Sequence, residues 1–270
     1  MTGVIESRTV AGTAGLAALV ADPAGALVTL DYDGTLAPIV ERPEDAAPAP
    51  GALAALTACA RTFGTVAIVT GRPAAVVVSL AGATDVDHLV VLGHYGEERW
   101  TRASGLAAPP EHPGLPAARR LLAERLPEGA RIEEKGLSVA VHTRAAPDPD
   151  ATLAAATALV EEVASATGLA VNHGRYVVEL RAPGARDKGD AIRALVAERR
   201  PATLLFAGDD LVDLPAYEAV LAFRGDGGDA VGVFVDNPEA ATVRALADVV
   251  VPDTEACVAF LHALAHAAAR

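Results

Sequence analysis

Residue types that define whole classes of protein are scarce in this chain of 270 residues. It has only two cysteines, Cys59 and Cys257, which lie far apart in alanine-rich stretches without metal-ligand spacing. A disulfide scaffold and a cysteine-ligated metal site are therefore not expected. Both cysteines are predicted to be small buried hydrophobes.

Long apolar runs are also missing. No stretch approaches the roughly 18 uninterrupted apolar residues of a membrane-spanning helix. The longest apolar run near the N terminus, residues 11–21, follows one glutamate and one arginine, so it lacks the net positive flank of a secretory signal. We therefore expect a cytoplasmic protein without membrane segments.

Positive charge is scarce as well, with 22 lysines and arginines against 35 acidic residues and a net charge of −13. Such a surface disfavours non-specific binding to nucleic acid or to anionic lipid. An anionic ligand would need a metal ion or clustered cations in its site. Only Lys135 and Lys188 are lysines, so each is either retained by chance or needed for its compact ammonium group.

Short apolar runs without polar alternation predict strands that are buried on both faces of a parallel sheet. Helical segments alternate with these runs, which is the pattern of a doubly wound α/β fold. The predicted strands are residues 26–30 (ALVTL), 65–69 (TVAIV), 88–92 (HLVVL), 203–207 (TLLFA) and 230–235 (AVGVFV). The predicted helices are residues 51–62, 74–81 and 189–199, and one that begins at Glu255.

The pattern changes from about Gly105. Two helix-plus-hairpin units follow each other, which predicts an antiparallel sheet with helices on one face. Their elements are a helix ending near Leu126, strands 131–134 and 137–143, a helix over 150–167, and strands 169–172 and 175–181 joined across His173-Gly174. The chain is therefore predicted to form a Rossmann-like core from residues 1–104 and 186–270, interrupted by an α+β cap domain over residues 105–185.

Three predicted core strands run directly into polar residues. Asp31 and Asp33 follow the first strand, Thr70 follows the second, and Asp209 and Asp210 follow the strand at 203–207. Ligands of open parallel sheets bind beyond the carboxyl ends of the strands, so these groups could converge. Several carboxylates in one crevice need a cation, and an all-oxygen set suits Mg²⁺. Any one of these aspartates alone could equally be a helix cap or a turn residue.

In their order along the chain, four segments resemble the motifs of the haloacid dehalogenase-like phosphatases. The segments are 31–36 (DYDGTL), 70–72 (TGR), 186–189 (RDKG) and 208–213 (GDDLVD), and they span nearly the whole chain. The resemblance implies a phosphatase that acts through an aspartyl-phosphate, because a carboxylate is a competent nucleophile toward phosphorus.

The same resemblance implies roles for the catalytic residues. Asp31 would be the nucleophile, and Asp33 would protonate the leaving alkoxide and later take a proton from water. Thr70 would donate its hydroxyl to a phosphoryl oxygen, and Lys188 would neutralise developing charge. Mg²⁺ would be held by the Asp31 carboxylate, the Asp33 carbonyl and Asp209, with Asp210 and Asp213 as ligands or supporting groups.

The inserted module is similar to the cap of the trehalose-6-phosphate phosphatases. The matching segments within the module are 133–135 (EEK), 142–144 (HTR) and 176–179 (YVVE), and a further matching segment, 93–99 (GHYGEER), precedes it. The resemblance implies that the substrate is bound by Arg72, Glu98, Glu133, Lys135, Arg144 and Glu179. Two positions depart from the family, since Tyr95 stands where histidine is common and Leu214 where glutamate is common.

The expected activity is hydrolysis of trehalose 6-phosphate to trehalose and phosphate by a monomer that uses Mg²⁺. The alternatives are another sugar phosphate, such as sucrose 6-phosphate or mannosyl-3-phosphoglycerate, and a catalytically silent regulator that binds a sugar phosphate. The intact carboxylate set disfavours the silent regulator, because a protein that only binds its ligand gains nothing from a nucleophile.

Overall fold

A computed structural model describes residues 7–40 and 42–270. Contacts between residues divide the chain into two compact units. The first unit contains the residues up to Ala108 together with Arg186–Arg270, and the second is Pro109–Ala185. Among the described residues, no helix is both long enough and apolar enough to cross a membrane.

The first unit alternates strands and helices. Its strands are β1 (Ala26–Leu30), β2 (Thr65–Val69), β3 (Leu89–Gly93), β4 (Glu98–Thr101), β5 (Gly105–Ala107), β10 (Thr203–Gly208), β11 (Asp229–Val235) and β12 (Val249–Val251). Its helices are α1 (Val10–Ala21), α2 (Ala52–Thr62), α3 (Ala74–Leu80), α6 (Lys188–Arg199), α7 (Leu214–Gly225), α8 (Ala241–Arg244) and α9 (Thr254–Ala268). The second unit contains α4 (Leu115–Arg125), β6 (Arg131–Glu134), β7 (Ser138–His142), α5 (Pro149–Thr167), β8 (Ala170–Gly174) and β9 (Val177–Arg181).

The described strands of the first unit form one sheet in the order β12-β11-β10-β1-β2-β3-β4-β5. Neighbouring strands from β12 to β3 run parallel. The chain leaves β1 toward β2 on one side and later returns to β10 on the other, so the strand order reverses between β1 and β10. Ligand crevices form at such a point. The predicted doubly wound α/β fold is confirmed.

Apolar side chains cover both faces of this sheet, which explains why its parallel strands are continuous hydrophobic runs. Every residue of β1, β2 and β3 is buried. Alternate residues of β1 enter different clusters, with Val28 in the core under α2 and α9 and Leu27 in the core under α6 and α7. Helices therefore lie on both faces, and the carboxyl ends of the strands remain available for a site.

The sheet extends further than the sequence indicated. Residues 98–101 and 105–107 form the antiparallel strands β4 and β5 beside β3. Both strands are short and alternate little, so no hydrophobic pattern marked them. Because β5 pairs with β4, the first unit continues to Ala108 and does not end at Ser104.

The second unit is an antiparallel sheet in the order β6-β7-β9-β8. One face carries an apolar cluster with α4 and α5, which contains Leu122, Val141, Val160 and Leu180 among others. Asp148 caps the N terminus of helix α5, since its side chain accepts a hydrogen bond from the Ala151 N–H. Two helices on one face of an antiparallel sheet is the predicted α+β arrangement.

The hairpin between β8 and β9 turns later than predicted. Gly174 pairs with Val177, so the turn is Arg175-Tyr176 and the prediction of a turn at His173-Gly174 is wrong. Tyr176 takes the left-handed conformation of the turn, with a φ of 56°.

A buried carboxylate ties the last strands of the sheet together. Asp248 is 1% exposed, and its carboxylate accepts hydrogen bonds from the Gly232 N–H at 2.8 Å, from the Arg224 guanidinium and from the Thr9 hydroxyl. Charged groups in such a place stabilise only when they are paired, because an unpaired buried charge is costly.

We expect Asp248→Ala to lower the free energy of unfolding by about 3 kcal/mol, because it leaves the Arg224 charge without its partner. Urea unfolding measures this loss. Asp253→Ala is the matched control, since Asp253 only caps α9 through the Ala256 N–H. Its loss should be about 1 kcal/mol. Equal losses in the two variants would contradict the structural role given to Asp248.

Candidate active site

Three strand ends of the first unit bring polar side chains together. Asp31 directly follows β1, Thr70 follows β2 and Asp209 follows β10. Each is at least 96% buried, with exposed fractions of 4%, 1% and 4%. The Asp31 N–H donates to the Ala207 carbonyl at 2.8 Å, which continues the pairing of β1 with β10 past the end of β1. The two strand ends are thereby fixed beside each other.

Lys188 lies between two carboxylates at this edge. It is the first residue of α6, and its Nζ lies 2.8 Å from Oδ1 of Asp31 and 2.5 Å from Oδ1 of Asp213. All three residues are buried. One ammonium group thus joins three elements that are distant in the sequence. Lys188, which is predicted to act on the phosphoryl group, contacts Asp31, the predicted nucleophile.

Asp213 also organises the loop after β10. Its Oδ2 accepts hydrogen bonds from the N–H groups of Asp209 at 2.9 Å and of Asp210 at 3.1 Å. Asp210 itself is exposed, and its carboxylate caps the helical turn Leu211–Asp213. The structure therefore brings Asp213 into the site and leaves the Asp210 carboxylate outside the acidic cluster.

The carboxylates of Asp31, Asp209 and Asp213 have oxygens within 4.8 Å of one another. Oδ1 of Asp209 is buried and has no hydrogen-bond partner among the described residues. Gly34 has a φ of 73° and leaves the space beside this carboxylate open, because a Cβ on Gly34 would collide with it. Hard oxygen donors, one of them unsatisfied, suit a divalent cation such as Mg²⁺.

Burial and neighbouring charges shift the pKa values of the groups in this cluster. Burial raises the pKa of Asp31 to about 8, against the opposing charge of Lys188. Burial, together with the charges of Asp31 and Asp213, raises the pKa of Asp209 to about 9. Burial alone would lower the pKa of Lys188, but Asp213 and Asp31 raise it above its ordinary value. Protons or a cation must therefore balance the carboxylates.

Arg72 holds the carboxylate of Asp33. Its Nε donates to Oδ2 at 2.6 Å and its Nη2 donates to Oδ1 at 2.7 Å, which is a bidentate pair. Its Nη1 donates to the Pro43 carbonyl at 2.7 Å, and its guanidinium lies 5.9 Å from the centre of the Tyr32 ring. These contacts give Arg72 a role in holding Asp33, and its contact with substrate stays a prediction.

Glu98 also has a partner inside the first unit. It is 7% exposed, and its Oε2 accepts a hydrogen bond from the Ala74 N–H at 2.6 Å, at the start of α3. His94 Nε2 lies 3.8 Å from its other oxygen. These contacts give Glu98 a capping role, and its contact with substrate stays a prediction.

Acidic and basic groups in the second unit share the face of its sheet that lies opposite the helices. Glu133, Ala140 and Glu179 are direct partners across β6, β7 and β9. Residues paired in register lie on one face. Ile132, Val139 and Leu180 belong to the apolar cluster on the other face.

Lys135 lies between the two glutamates of this polar face. Its Nζ is 3.4 Å from Oε1 of Glu179 and 3.7 Å from Oε2 of Glu133. Ser138 donates to Glu179 Oε1 at 2.6 Å, and His142 Nε2 lies 2.7 Å from Glu133 Oε2. Burial alone would raise the pKa of Glu179, but Lys135 and the bond from Ser138 outweigh it and lower the pKa.

The structure places Arg144 apart from these contacts. Arg144 is exposed, and its guanidinium lies 5.6 Å from the centre of the Tyr176 ring. Sequence reasoning did not select Ser138 or His142. A signal existed only for His142, which belongs to the HTR segment; nothing in the sequence distinguished Ser138 from an ordinary strand residue.

The fold recurs among solved structures. A haloacid dehalogenase-like hydrolase from Bacteroides thetaiotaomicron matches with a TM-score of 0.64 at 15% identity, over 87% of this chain and 97% of its own. The C-terminal domain of trehalose-6-phosphate phosphatase from Candida albicans matches with a TM-score of 0.76 at 20% identity, over 98% and 99%. The fold is therefore that of the haloacid dehalogenase-like hydrolases.

Sequence comparison identifies the family within this fold class to which the chain belongs. The family model described as trehalose-phosphatase matches residues 29–246. Trehalose-phosphate phosphatase of Mycobacterium marinum is 36% identical over 205 residues, which are 72% of this chain and 51% of that protein. The chain belongs to the trehalose-phosphatase family.

A second relative is much longer than this chain. An uncharacterized glycosyl hydrolase of Mycobacterium tuberculosis is 38% identical over 237 residues, which are 80% of this chain and 17% of that protein. The chain thus matches about half the length of one curated relative and a smaller part of the other.

We expect Mg²⁺ to stabilise the folded protein more at high pH than at low pH. In the metal-free protein, protonation of Asp31 and Asp209 stabilises the folded state, because folding raises the pKa of both groups. This stabilisation is complete below their ordinary pKa values and is lost as the pH rises through about 8 and 9. Bound Mg²⁺ replaces those protons, so its effect on the urea midpoint should grow between about pH 5 and pH 9.

Urea unfolding with EDTA and with Mg²⁺, at several pH values, measures this difference. Asp209→Asn is the informative variant, because it removes one titrating group and one predicted metal ligand together. Its midpoint should respond little to Mg²⁺. A response to Mg²⁺ that is equal at every pH, or equal in Asp209→Asn, would argue against a cation in this cluster.

Proposed function

We propose that this chain hydrolyses trehalose 6-phosphate to trehalose and phosphate in a reaction that depends on Mg²⁺. The observation that carries the proposal is the contact of Lys188 with Asp31 at the end of β1, beside the unsatisfied oxygen of Asp209. Membership of the trehalose-phosphatase family supports the substrate.

In the first step, an oxygen of the Asp31 carboxylate attacks the phosphorus atom. A bond forms between this oxygen and phosphorus, and the bond between phosphorus and the sugar oxygen breaks. Asp33 protonates the departing sugar oxygen. The bidentate pair with Arg72 fixes the orientation of the Asp33 carboxyl group and uses one acceptor site on each of its oxygens.

In the second step, water attacks the phosphorus of the aspartyl-phosphate and Asp33 takes its proton. The bond between phosphorus and Asp31 breaks, which releases phosphate and restores the carboxylate. The Thr70 hydroxyl and the Lys188 ammonium stabilise the charge on the phosphoryl oxygens in both steps. Lys188 also keeps Asp31 in place, since the two groups are 2.8 Å apart.

The cation would be held by Asp31, Asp209 and the Asp33 carbonyl, with Asp213 beside them. When bound, it would supply charge neutralisation for the phosphoryl group and for the carboxylates. The oxygen ligands and the unsatisfied Asp209 oxygen support this assignment.

The polar face of the second unit is proposed to bind the sugar. Carboxylates accept pairs of hydrogen bonds from neighbouring hydroxyl groups, and ammonium groups donate to ring and hydroxyl oxygens. Glu133, Lys135 and Glu179 provide such groups on one face, and exposed Arg144 provides a further donor. The monomeric state and the cytoplasmic location stay predictions.

The central experiment is phosphate release from a panel of sugar phosphates with Mg²⁺ and with EDTA. We expect turnover of trehalose 6-phosphate that Mg²⁺ restores after EDTA treatment. Asp31→Asn should keep the circular-dichroism spectrum and lose essentially all turnover, because an amide is not a nucleophile toward phosphorus.

The panel also separates the alternatives. Faster turnover of sucrose 6-phosphate or mannosyl-3-phosphoglycerate would assign another substrate to the same chemistry. Binding of a sugar phosphate without turnover would identify a silent regulator. Substantial turnover by Asp31→Asn, or turnover in EDTA, would refute the mechanism.

We expect Glu179→Gln to lower kcat/KM for trehalose 6-phosphate by about tenfold or more, the cost of losing a charged hydrogen bond to a ligand. The hydrolysis of p-nitrophenyl phosphate should be almost unchanged, because this substrate has no sugar hydroxyls. Steady-state kinetics with both substrates measures the difference.

Glu134→Gln is the control for this prediction. Glu134 is exposed and pairs with Val139 of β7, so it lies on the face of the sheet that carries the helices. Its Oε2 lies 3.4 Å from Nε of Arg119. It should leave both rates unchanged. Equal losses on both substrates in Glu179→Gln would mean that Glu179 supports folding and not sugar binding.

A further inference from the structure

Two neighbouring residues in the turn after β3 adopt a left-handed backbone without being glycine. His94 has a φ of 47° and Tyr95 a φ of 57°, and Gly96 follows with a φ of 97°. Side chains disfavour this region, so such residues persist only where the surrounding structure holds them. The hydrogen bonds of the turn show which neighbouring segments it holds in place.

One side of the turn holds the loop that carries Thr70. The Tyr95 N–H donates to the Thr70 carbonyl at 2.8 Å, and the His94 N–H donates to the Arg72 carbonyl at 3.0 Å. These two carbonyls flank Gly71. Because the peptide bond is planar and trans, the Gly71 N–H points away from the turn once the Thr70 carbonyl points toward it.

The ring of Tyr95 lies directly against Gly71. A methyl group on Gly71 would lie 2.5 Å from Oη and 2.7 Å from Cζ of Tyr95, closer than carbon atoms approach such groups. Gly71 does not have a left-handed φ. The close approach of the ring, and not the backbone, therefore requires glycine at this position.

The other side of the turn holds the segment that leads to Lys188. The Arg186 N–H donates to the Glu97 carboxylate at 3.0 Å, and the Arg186 guanidinium donates to the Gly96 carbonyl at 3.2 Å. Helix α6 begins at Lys188, two residues further on. One strained turn thus joins the loop of Thr70 to the segment of Lys188.

We propose that the turn His94–Glu97 is a positioning element for phosphoryl transfer and that Tyr95 is its central residue. Its backbone and ring fix the Thr70 hydroxyl relative to the Lys188 ammonium, so that both meet the phosphoryl oxygens. Tyr95 acts through these groups and does not itself touch the substrate. The inference rests on the proposed phosphatase function and adds a positioning residue to it.

The first test replaces the side chain and relieves the strain together, because glycine adopts the left-handed region freely. Tyr95→Gly should lower kcat for p-nitrophenyl phosphate by at least about tenfold, a larger factor than any rise in KM, since misplaced transition-state contacts act on kcat. Its circular-dichroism spectrum should match that of the wild type. A kcat within about twofold of the wild type would overturn the proposal.

His88→Gly is the matched control. His88 has a φ of 63°, is exposed, and precedes β3 at the opposite end of that strand. The same exchange of a strained residue for glycine should there leave kcat unchanged. Tyr95→Phe keeps the ring over Gly71 and should retain kcat within about threefold. If Tyr95→Phe is as damaging as Tyr95→Gly, the hydroxyl acts on the substrate and the positioning role is wrong.

A double-mutant cycle tests the contact with Gly71. In the wild type, the methyl group of Gly71→Ala meets the Tyr95 ring and should lower kcat about tenfold by displacing the loop. In the Tyr95→Gly background the methyl group has room, so Gly71→Ala should cost less than about a further twofold. If the fall in kcat of the double variant equals the product of the falls in the two single variants, the proposed contact is wrong.

Binding of orthophosphate separates this inference from the proposed function. Calorimetric titration of orthophosphate in Mg²⁺ should show at least about fivefold weaker binding in Tyr95→Gly and none of this loss in His88→Gly. If the wild type binds phosphate but hydrolyses nothing, the proposed function fails while the titration still tests the turn. Equal affinities in all three proteins, or no binding by the wild type, would overturn the inference.

Discussion

The buried contact of Lys188 with Asp31 and Asp213 is the interaction on which the site depends. Its three residues come from the end of β1, the start of α6 and the helical turn after β10, so one ammonium group fixes the relative positions of three elements. Removal of any partner leaves a buried charge without compensation. Asp213 extends the arrangement to the backbone N–H groups of Asp209 and Asp210. The position of the predicted metal ligand Asp209 therefore follows from the same ion pairs.

The second lysine of the chain has a similar environment in the other unit. Lys135 lies near Glu133 and Glu179 as Lys188 lies near Asp31 and Asp213, although its contacts are longer and more exposed. An ammonium group is a compact charge whose three donors rotate, whereas a guanidinium presents its donors in a fixed plane that matches a carboxylate in a bidentate pair. Arg72 shows the second behaviour with Asp33. This difference gives a physical reason for lysine at these two positions in a chain that otherwise uses arginine.

The sequence was informative where local patterns have local causes. The uninterrupted apolar runs of β1, β2 and β10 reflect burial on both faces, and the polar residues that follow them lie at the predicted edge of the sheet. The bidentate contact of Arg72 with Asp33 could not be predicted, because the two residues are joined only through the pairing of β1 with β2. The bond from Ala74 to Glu98 likewise depends on strand β4, which no hydrophobic pattern announced. The left-handed conformations of His94 and Tyr95 contradict local preference and are maintained by tertiary contacts alone.

The charge balance of the first unit supports the proposal that its site holds a cation. The positive groups at this edge are already engaged, Lys188 with Asp31 and Asp213, and Arg72 with Asp33. Asp209 adds a further carboxylate, and its buried Oδ1 has no hydrogen-bond partner within residues 7–40 and 42–270. A dianionic phosphate would meet more negative than positive charge there, in a chain that is acidic throughout. The proposed divalent cation among these oxygens would reverse that balance locally, and it would let a carboxylate approach a phosphate that it would otherwise repel.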